Sequence, residues 1–329
     1  MDVDTAFLNP VLEEDLYVRL PKGLKFGGYR CAKLLKAVYG LKQAEKEWFE
    51  ASDAFIMGYD SRMQRSDVEP CLYFIKDTEL MVIILAYVDD YLVATNDKSW
   101  YDTFVAAFHS RYSCKDLGVL DLVMGIGVRW GEGTAYLSKT GYITQMISTY
   151  GLTEARPATV PMSPTTTLSP ADGKDEDIPY RALLGQLQWV ARCSRPDIMA
   201  AVSILSRFCT TYGPEHFVAL KQVVRYLKGT MDYELVLRSA SVPGGPVPMF
   251  CDNQGAIHLA SDYVNNSRSK HIEVRNMYIR ELIKGKDTEA LYTGTADNTS
   301  DIMTKPLALP TFQVHRERLG VMSLHRDDR

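Results

Sequence analysis

A chain of 329 residues, 46% of them hydrophobic, has material for about two folded cores. Its net charge of −4 gives no general pull on a polyanion, so any nucleic-acid contact must come from local basic strips. The longest apolar run starts at Met81 and ends at Val88, well short of the ~20 residues of a bilayer span. The opening residues also lack the basic-then-apolar order of a secretory leader.

In chain order, the first segment, MDVDTAFLN, reads as a short strand, and residues 44–55 carry apolar positions at helical spacing. Runs at 72–75 and 81–86 are strand-like. Asp77, Thr78 and Glu79 form a polar turn between them. Asp89 and Asp90 interrupt the next pair of runs, 81–88 and 91–95, which predicts a β-hairpin with acids at its tip. Residues 157–177 are rich in Pro, Ser, Thr and Asp without apolar periodicity, so a flexible connection is expected. Helices follow. Leu183, Leu184, Leu187 and Val190 share one face, and Phe217, Leu220, Val223, Val224 and Leu227 share another after Pro214. The piece ASVPGGPVP at 240–248 is a second break, after which 251–301 returns to mixed patterning. No segment repeats another, and the whole reads as α+β. The six cysteines are scattered, with no Cys-x-x-Cys and no His at zinc-ligand spacing, so buried free thiols are expected.

An isolated Asp-Asp pair is ordinarily a solvated turn. Here the flanks ILAY and YLVAT hold the turn between buried strands, which fixes both carboxylates. The expected register brings Asp89 close to Asp2 on a neighbouring antiparallel strand. Three acids from two strands suit a pair of Mg²⁺ ions about 4 Å apart, the arrangement used in phosphoryl transfer. A metal-dependent hydrolase built on Asp89 and Asp90 stays open on these residues alone.

MDVDTAFLN, then YGLKQAEKEWF at 39–49, then YVDD at 87–90 closely resemble, in order and spacing, the polymerase motifs of copia-type (Pseudoviridae-like) retrotransposon reverse transcriptases. The resemblance continues through LVMGIGV at 122–128, YLSKTGYI at 136–143, YRALLGQLQWVARCSRPDI at 180–198, LKQVVRYLKGT at 220–230, DNQGAIHLA at 252–260, KHIEVR at 270–275 and DIMTKPL at 301–307. It implies that Asp2, Asp89 and Asp90 are the catalytic, metal-binding acids, with Mg²⁺ or Mn²⁺ as the ion. Phe7 would abut the sugar of the incoming deoxynucleotide, or else be a core aromatic. Tyr39, Gly40 and Gln43 would lie against nucleotide and template. Gly125 would let backbone approach the primer. Arg192, Arg195, Lys221, Arg225 and Lys228 would follow the phosphate backbone, or else merely solvate helix faces.

The architecture implied is a palm at 1–130, thumb and connection helices at 131–235, and a ribonuclease H-like remnant at 236–329. The implied partners are an RNA or DNA template with primer, deoxynucleotides and other parts of a retrotransposon polyprotein, without a membrane. The implied location is intracellular, in cytoplasmic virus-like particles or the nucleus.

The chain also departs from the family pattern. It opens on the first catalytic segment, so the fingers are expected to be missing and Asp2 to sit at a fraying end. Glu45 and Lys46 stand where the family has Pro or Ala and then Arg, and Gly127 stands where it has Glu. Asp252 and Asp301 match the third and fourth acids of ribonuclease H, but no carboxylate lies between Glu234 and Asp252 to supply the first two. An impaired polymerase with an inactive ribonuclease H segment is therefore expected. The rival is a non-catalytic nucleic-acid-binding or inert relic.

Overall fold

The run MVIILAY buries Val82, Ile84 and Ala86 and exposes Met81, Ile83 and Leu85, the alternation of a strand packed on one face. It lies at the centre of the first of two units, Met1–Leu120 and Asp121–Arg329, in a computed structural model that describes residues 1–12, 14–24, 27–239, 245–261 and 274–323. Strands and helices mix in both units, so the fold is α+β as expected. Among the described residues no helix is long and apolar enough to cross a membrane.

The first unit runs β1 (Asp2–Val3), β2 (Tyr17–Arg19), β3 (Cys31–Lys33), α1 (Ala44–Tyr59), β4 (Gln64–Arg65), β5 (Leu72–Lys76), β6 (Met81–Tyr87), β7 (Asp90–Thr95), α2 (Lys98–Arg111) and β8 (Cys114–Lys115). Its main sheet is antiparallel in the order β4-β5-β6-β7-β1-β8, and β2 with β3 forms a separate ribbon. Trp48 and Ile56 of α1 and Trp100, Phe104 and Phe108 of α2 pack into one core with Val3, Tyr73, Ile75, Val82, Ile84 and Tyr91. The helix expected at 44–55 continues to Tyr59. Helix α2 starts at Asp97, whose carboxylate accepts from the Ser99 and Trp100 amides. Asp2 does not lie at a loose end: β1 is paired on both sides, by β7 and β8, and Met1 exchanges backbone bonds of 2.8 and 2.9 Å with Tyr91.

The second unit begins with β9 (Leu122–Val123), β10 (Ile126–Gly131), β11 (Thr134–Ser138), α3 (Thr140–Thr149), α4 (Tyr180–Cys193), α5 (Met199–Ser206), α6 (Pro214–Gly229) and β12 (Tyr233–Arg238). It ends with β13 (Val247–Cys251), α7 (Gln254–Ser261), α8 (Val274–Lys284), β14 (Thr288–Tyr292), α9 (Asp301–Thr304), α10 (Leu309–Arg318) and β15 (Val321–Ser323). An antiparallel sheet in the order β15-β12-β11-β10-β9 accompanies a helical core of Leu183, Leu187, Leu220, Val223, Val224 and Leu227. The strands at 122–131, grouped by sequence with residues before them, thus share a sheet with β11 and β12.

Residues 157–177 carry no helix or strand but are tied down at intervals. The Ala158 amide donates to Arg225, Ala171 to Thr211 and Asp175 to Tyr212, at 3.2, 2.9 and 3.1 Å, and Met162 is buried. After β12 the chain forms the parallel pair β13–β14, then rejoins the helical core through Ile302 and Phe312 and closes the sheet as β15 against β12. The motif at 270–275 and the break at 240–248 lie partly outside the described residues.

Candidate active site

Strands β6 and β7 form the hairpin expected for 81–95. Tyr87 pairs with Asp90 and Asp2 also pairs with Asp90, so Asp2 and Asp90 lie directly opposite one another on the sheet face turned away from α1 and α2. Asp89 occupies the turn, where its carbonyl accepts from the Val3 amide at 2.9 Å. Partial burial, then the negative charges of Asp89 and Asp2, push the Asp90 carboxyl above its ordinary value, and the Met1 ammonium offsets part of this. Like charges gathered in this way are what a divalent cation relieves. Among the described residues, no three His, Cys, Asp or Glu side chains are gathered tightly enough to hold an ion as they stand.

The turn itself is under strain. Val88 and Asp89 make a two-residue hairpin loop in which Val88 has φ of +58°. That is the first central position of a loop type that favours glycine. A β-branched residue held there costs about 1–3 kcal/mol and persists only where its surroundings over-determine it. Two bonds do so: Trp48 Nε1 donates to the Val88 carbonyl at 2.6 Å, and the Val3 amide holds the Asp89 carbonyl. Trp48 is buried and packs edge-on to Tyr112, with ring centroids 5.0 Å apart.

Around the acids, Phe7 is half-buried, packs against the first-unit core and meets Tyr39 edge-on with centroids 5.1 Å apart, so two separate motifs touch. Tyr39 is otherwise exposed, Gly40 has φ of +94°, and Gln43 precedes α1 with its amide 3.4 Å from Glu14. Asp4, whose place in the opening motif gave no sign of a role, bonds Ser113 and Lys115, which hold its carboxyl below the usual range and tie β1 to β8.

In the second unit, Met124 and Gly125 form the turn between β9 and β10, both with positive φ. Glycine suits the φ of +67° at position 125, and a Cβ there would also press on Lys139 Nζ at 3.2 Å, so that the lysine end would have to give slightly. Lys139 is buried, donates to the Met124 carbonyl at 2.9 Å and lies 4.8 Å from the Trp189 ring centroid. Burial pushes its pKa below the ordinary lysine value.

The expected basic strip is largely spent on structure. Arg195 is 1% exposed and forms a two-pronged pair with Asp197 while also binding Thr230, so it cannot reach a phosphate. Tyr226 donates to the same Asp197 at 2.6 Å. Arg225 donates to the Arg156 carbonyl, and Lys228 to those of Thr153 and Ala155. Lys221 lies over Phe217, and Arg192 alone of the five is exposed. Further on, Asp252 directly follows β13, whereas Asp301 opens α9, is buried and pairs with Lys305 at 2.8 Å.

The acid hairpin lies within the stretch of the chain that a family match covers. Residues 1–164 match the reverse transcriptase (RNA-dependent DNA polymerase) family. The chain is 31% identical to the putative transposon Ty5-1 protein of Saccharomyces cerevisiae, over 92% of this chain and 100% of that protein. It is 28% identical to the retrovirus-related Pol polyprotein from transposon TNT 1-94 of Nicotiana tabacum, and 27% identical to that from transposon RE1 of Arabidopsis thaliana. Each of these covers 98% of this chain, which spans 31% and 27% of the two polyproteins. The tobacco alignment runs over 412 positions although the chain has 329 residues, so that relative carries stretches this chain lacks. No solved structure matches. The chain belongs to the copia-type retrotransposon reverse transcriptase family and corresponds to part of a Pol polyprotein.

Proposed function

We propose that this chain carries the palm and thumb of an RNA-directed DNA polymerase, with Asp2, Asp89 and Asp90 as its catalytic acids. The observation that supports this most is the crowding of carboxylates at the Asp2–Asp90 pair, on the helix-free face of the sheet, with Asp90 pushed toward its protonated form. Hard oxygen donors of this kind fit Mg²⁺ or Mn²⁺. When bound, the ion would supply a lowered pKa at a primer 3′-hydroxyl and charge to balance the departing pyrophosphate. The chain's own part is placement: the hairpin carries Asp89 and Asp90 beside Asp2, and the Phe7–Tyr39 contact forms an aromatic floor for a deoxynucleotide sugar. Gly125 and its turn would lie along the primer, and Arg192 along a phosphate backbone.

Primer extension on an RNA template, with Mg²⁺ and with Mn²⁺, tests the reading. Metal-dependent incorporation of deoxynucleotides that Asp90→Asn abolishes is the expected result. Primer-template binding without extension under either metal would instead make the chain a non-catalytic binder.

For residues 236–329 the reading is a ribonuclease H remnant that cannot cut RNA. Asp252 and Asp301 are two of the four acids needed, Asp301 is engaged by Lys305, and two acids leave two ions short of ligands. Incubating the protein with a labelled RNA·DNA hybrid in either metal should give no cleavage. Cleavage abolished by Asp252→Asn would refute this part.

A further inference from the structure

Of the side chains around the acid hairpin, Trp48 is the one whose contact a hydrophobic core does not explain. Its ring fills space beside Tyr112 and is 2% exposed, which a phenylalanine would also do. Its indole N–H, however, is aimed at one acceptor, the carbonyl of Val88, at 2.6 Å. That carbonyl belongs to the residue with φ of +58° between the paired Tyr87 and Asp90. A valine does not hold this conformation by its own preference, and the next peptide unit carries Asp89.

We propose that Trp48 is a positioning residue for the acid hairpin: its N–H holds the Val88 carbonyl in the left-handed turn that delivers Asp89 and Asp90 beside Asp2. This rests on the reading of the hairpin as a metal-holding site and adds to it a residue from α1 that touches neither metal nor substrate. The anchor is rigid because Trp48 sits one helical turn from Ala51, whose carbonyl accepts from the Tyr112 hydroxyl at 2.9 Å, and Tyr112 in turn walls the indole ring. On the far side, β1 fixes the same turn through the bond from Val3 to Asp89. With Trp48 on one carbonyl and Val3 on the next, the loop is clamped from both sides, and removing one clamp leaves the strain of Val88 free to relax.

The relation between Trp48 and Val88 supplies the test. If Trp48 acts by holding a strained residue, removing the strain should remove the need for Trp48. The 329-residue chain is prepared as wild type, Trp48→Phe, Val88→Gly and the double variant, together with a protein carrying a benzothienylalanine at position 48, which keeps the ring size but lacks the donor. Amide hydrogen exchange is followed at Val3, bonded to the turn, and at Ile84, within the sheet. Trp48→Phe and the benzothienyl protein should speed exchange at Val3 by about tenfold and leave Ile84 unchanged. Adding Val88→Gly to Trp48→Phe should return Val3 to near the wild-type rate. Mn²⁺ affinity, read by electron paramagnetic resonance, should fall about tenfold in Trp48→Phe and recover in the double variant.

Exchange at Val3 unchanged in both donor-less proteins would overturn the proposal, as would a loss shared by Ile84 that Val88→Gly does not rescue. If wild-type protein takes up no Mn²⁺ that depends on Asp90, the metal-site reading fails by itself. The exchange data still decide whether Trp48 holds the turn.

Discussion

In the first unit Asp2, Asp89 and Asp90 bring like charges to a half-buried rim, with the Met1 ammonium as the partial offset that Asp90 feels. In the second unit Arg195 and Asp197 bring opposite charges into the interior, where Arg195 uses each of its nitrogens on Asp197 or Thr230. The first arrangement leaves its electrostatic cost standing. The second cancels its cost internally and has nothing left to offer a ligand. By the same contrast, Arg225 and Lys228 are cations already committed to carbonyls, whereas Arg192 is not. The sign and completeness of the pairing separate charges spent on structure from charges left unspent here, where residue type does not.

Breaking the satisfied pair should have the largest effect. Asp197→Ala leaves Arg195 buried without its counter-charge and should cost about 3–5 kcal/mol in urea unfolding, and the joint replacement Arg195→Met with Asp197→Leu should cost less. If the single and joint variants lose equally, the pair is not acting as a closed unit. Next comes Lys139→Met, which removes the donor to Met124 and the cation over Trp189. It should lose about 1–2 kcal/mol by the same measurement. Arg225→Ala should lose about 0.5–1.5 kcal/mol and leave the salt dependence of nucleic-acid binding unchanged. Arg192→Ala should do the reverse, lowering the salt slope by about 1 with stability intact.

The smallest effect is at the acid rim. The folded state raises the Asp90 pKa, so between the unfolded value and the folded one it holds the extra proton, and stability falls as pH rises through that window. Asp90→Asn should therefore raise the melting temperature slightly at neutral pH and not at pH 3. A loss of stability at neutral pH would place Asp90 among the satisfied charges.

Much of this was legible in the residues. The hairpin at 81–95 announced itself by two apolar runs flanking a pair of acids, and the helices at 180–193 and 214–229 by their spacing. Helix α2 went unread although Asp97 as cap and Trp100, Phe104 and Phe108 four apart were signal enough. The short strands β8 and β9 hold two residues each and are defined by their partners rather than by any local pattern. Arg195 read as a phosphate contact because a sequence shows charge without depth, and its partner only two residues on looked like chance. Trp48 and Lys139 were invisible as anchors for the same reason: each acts on a backbone carbonyl 40 or 15 residues away.

Whether the acid rim holds a divalent cation is decided by titrating the protein with Mn²⁺ and reading free metal by electron paramagnetic resonance. Mn²⁺ uptake by the wild-type chain should weaken about tenfold or more in each of Asp2→Asn, Asp89→Asn and Asp90→Asn, and stay unchanged in Asp4→Asn. Uptake indifferent to all four substitutions, or none in the wild type, would contradict a cation site at the rim.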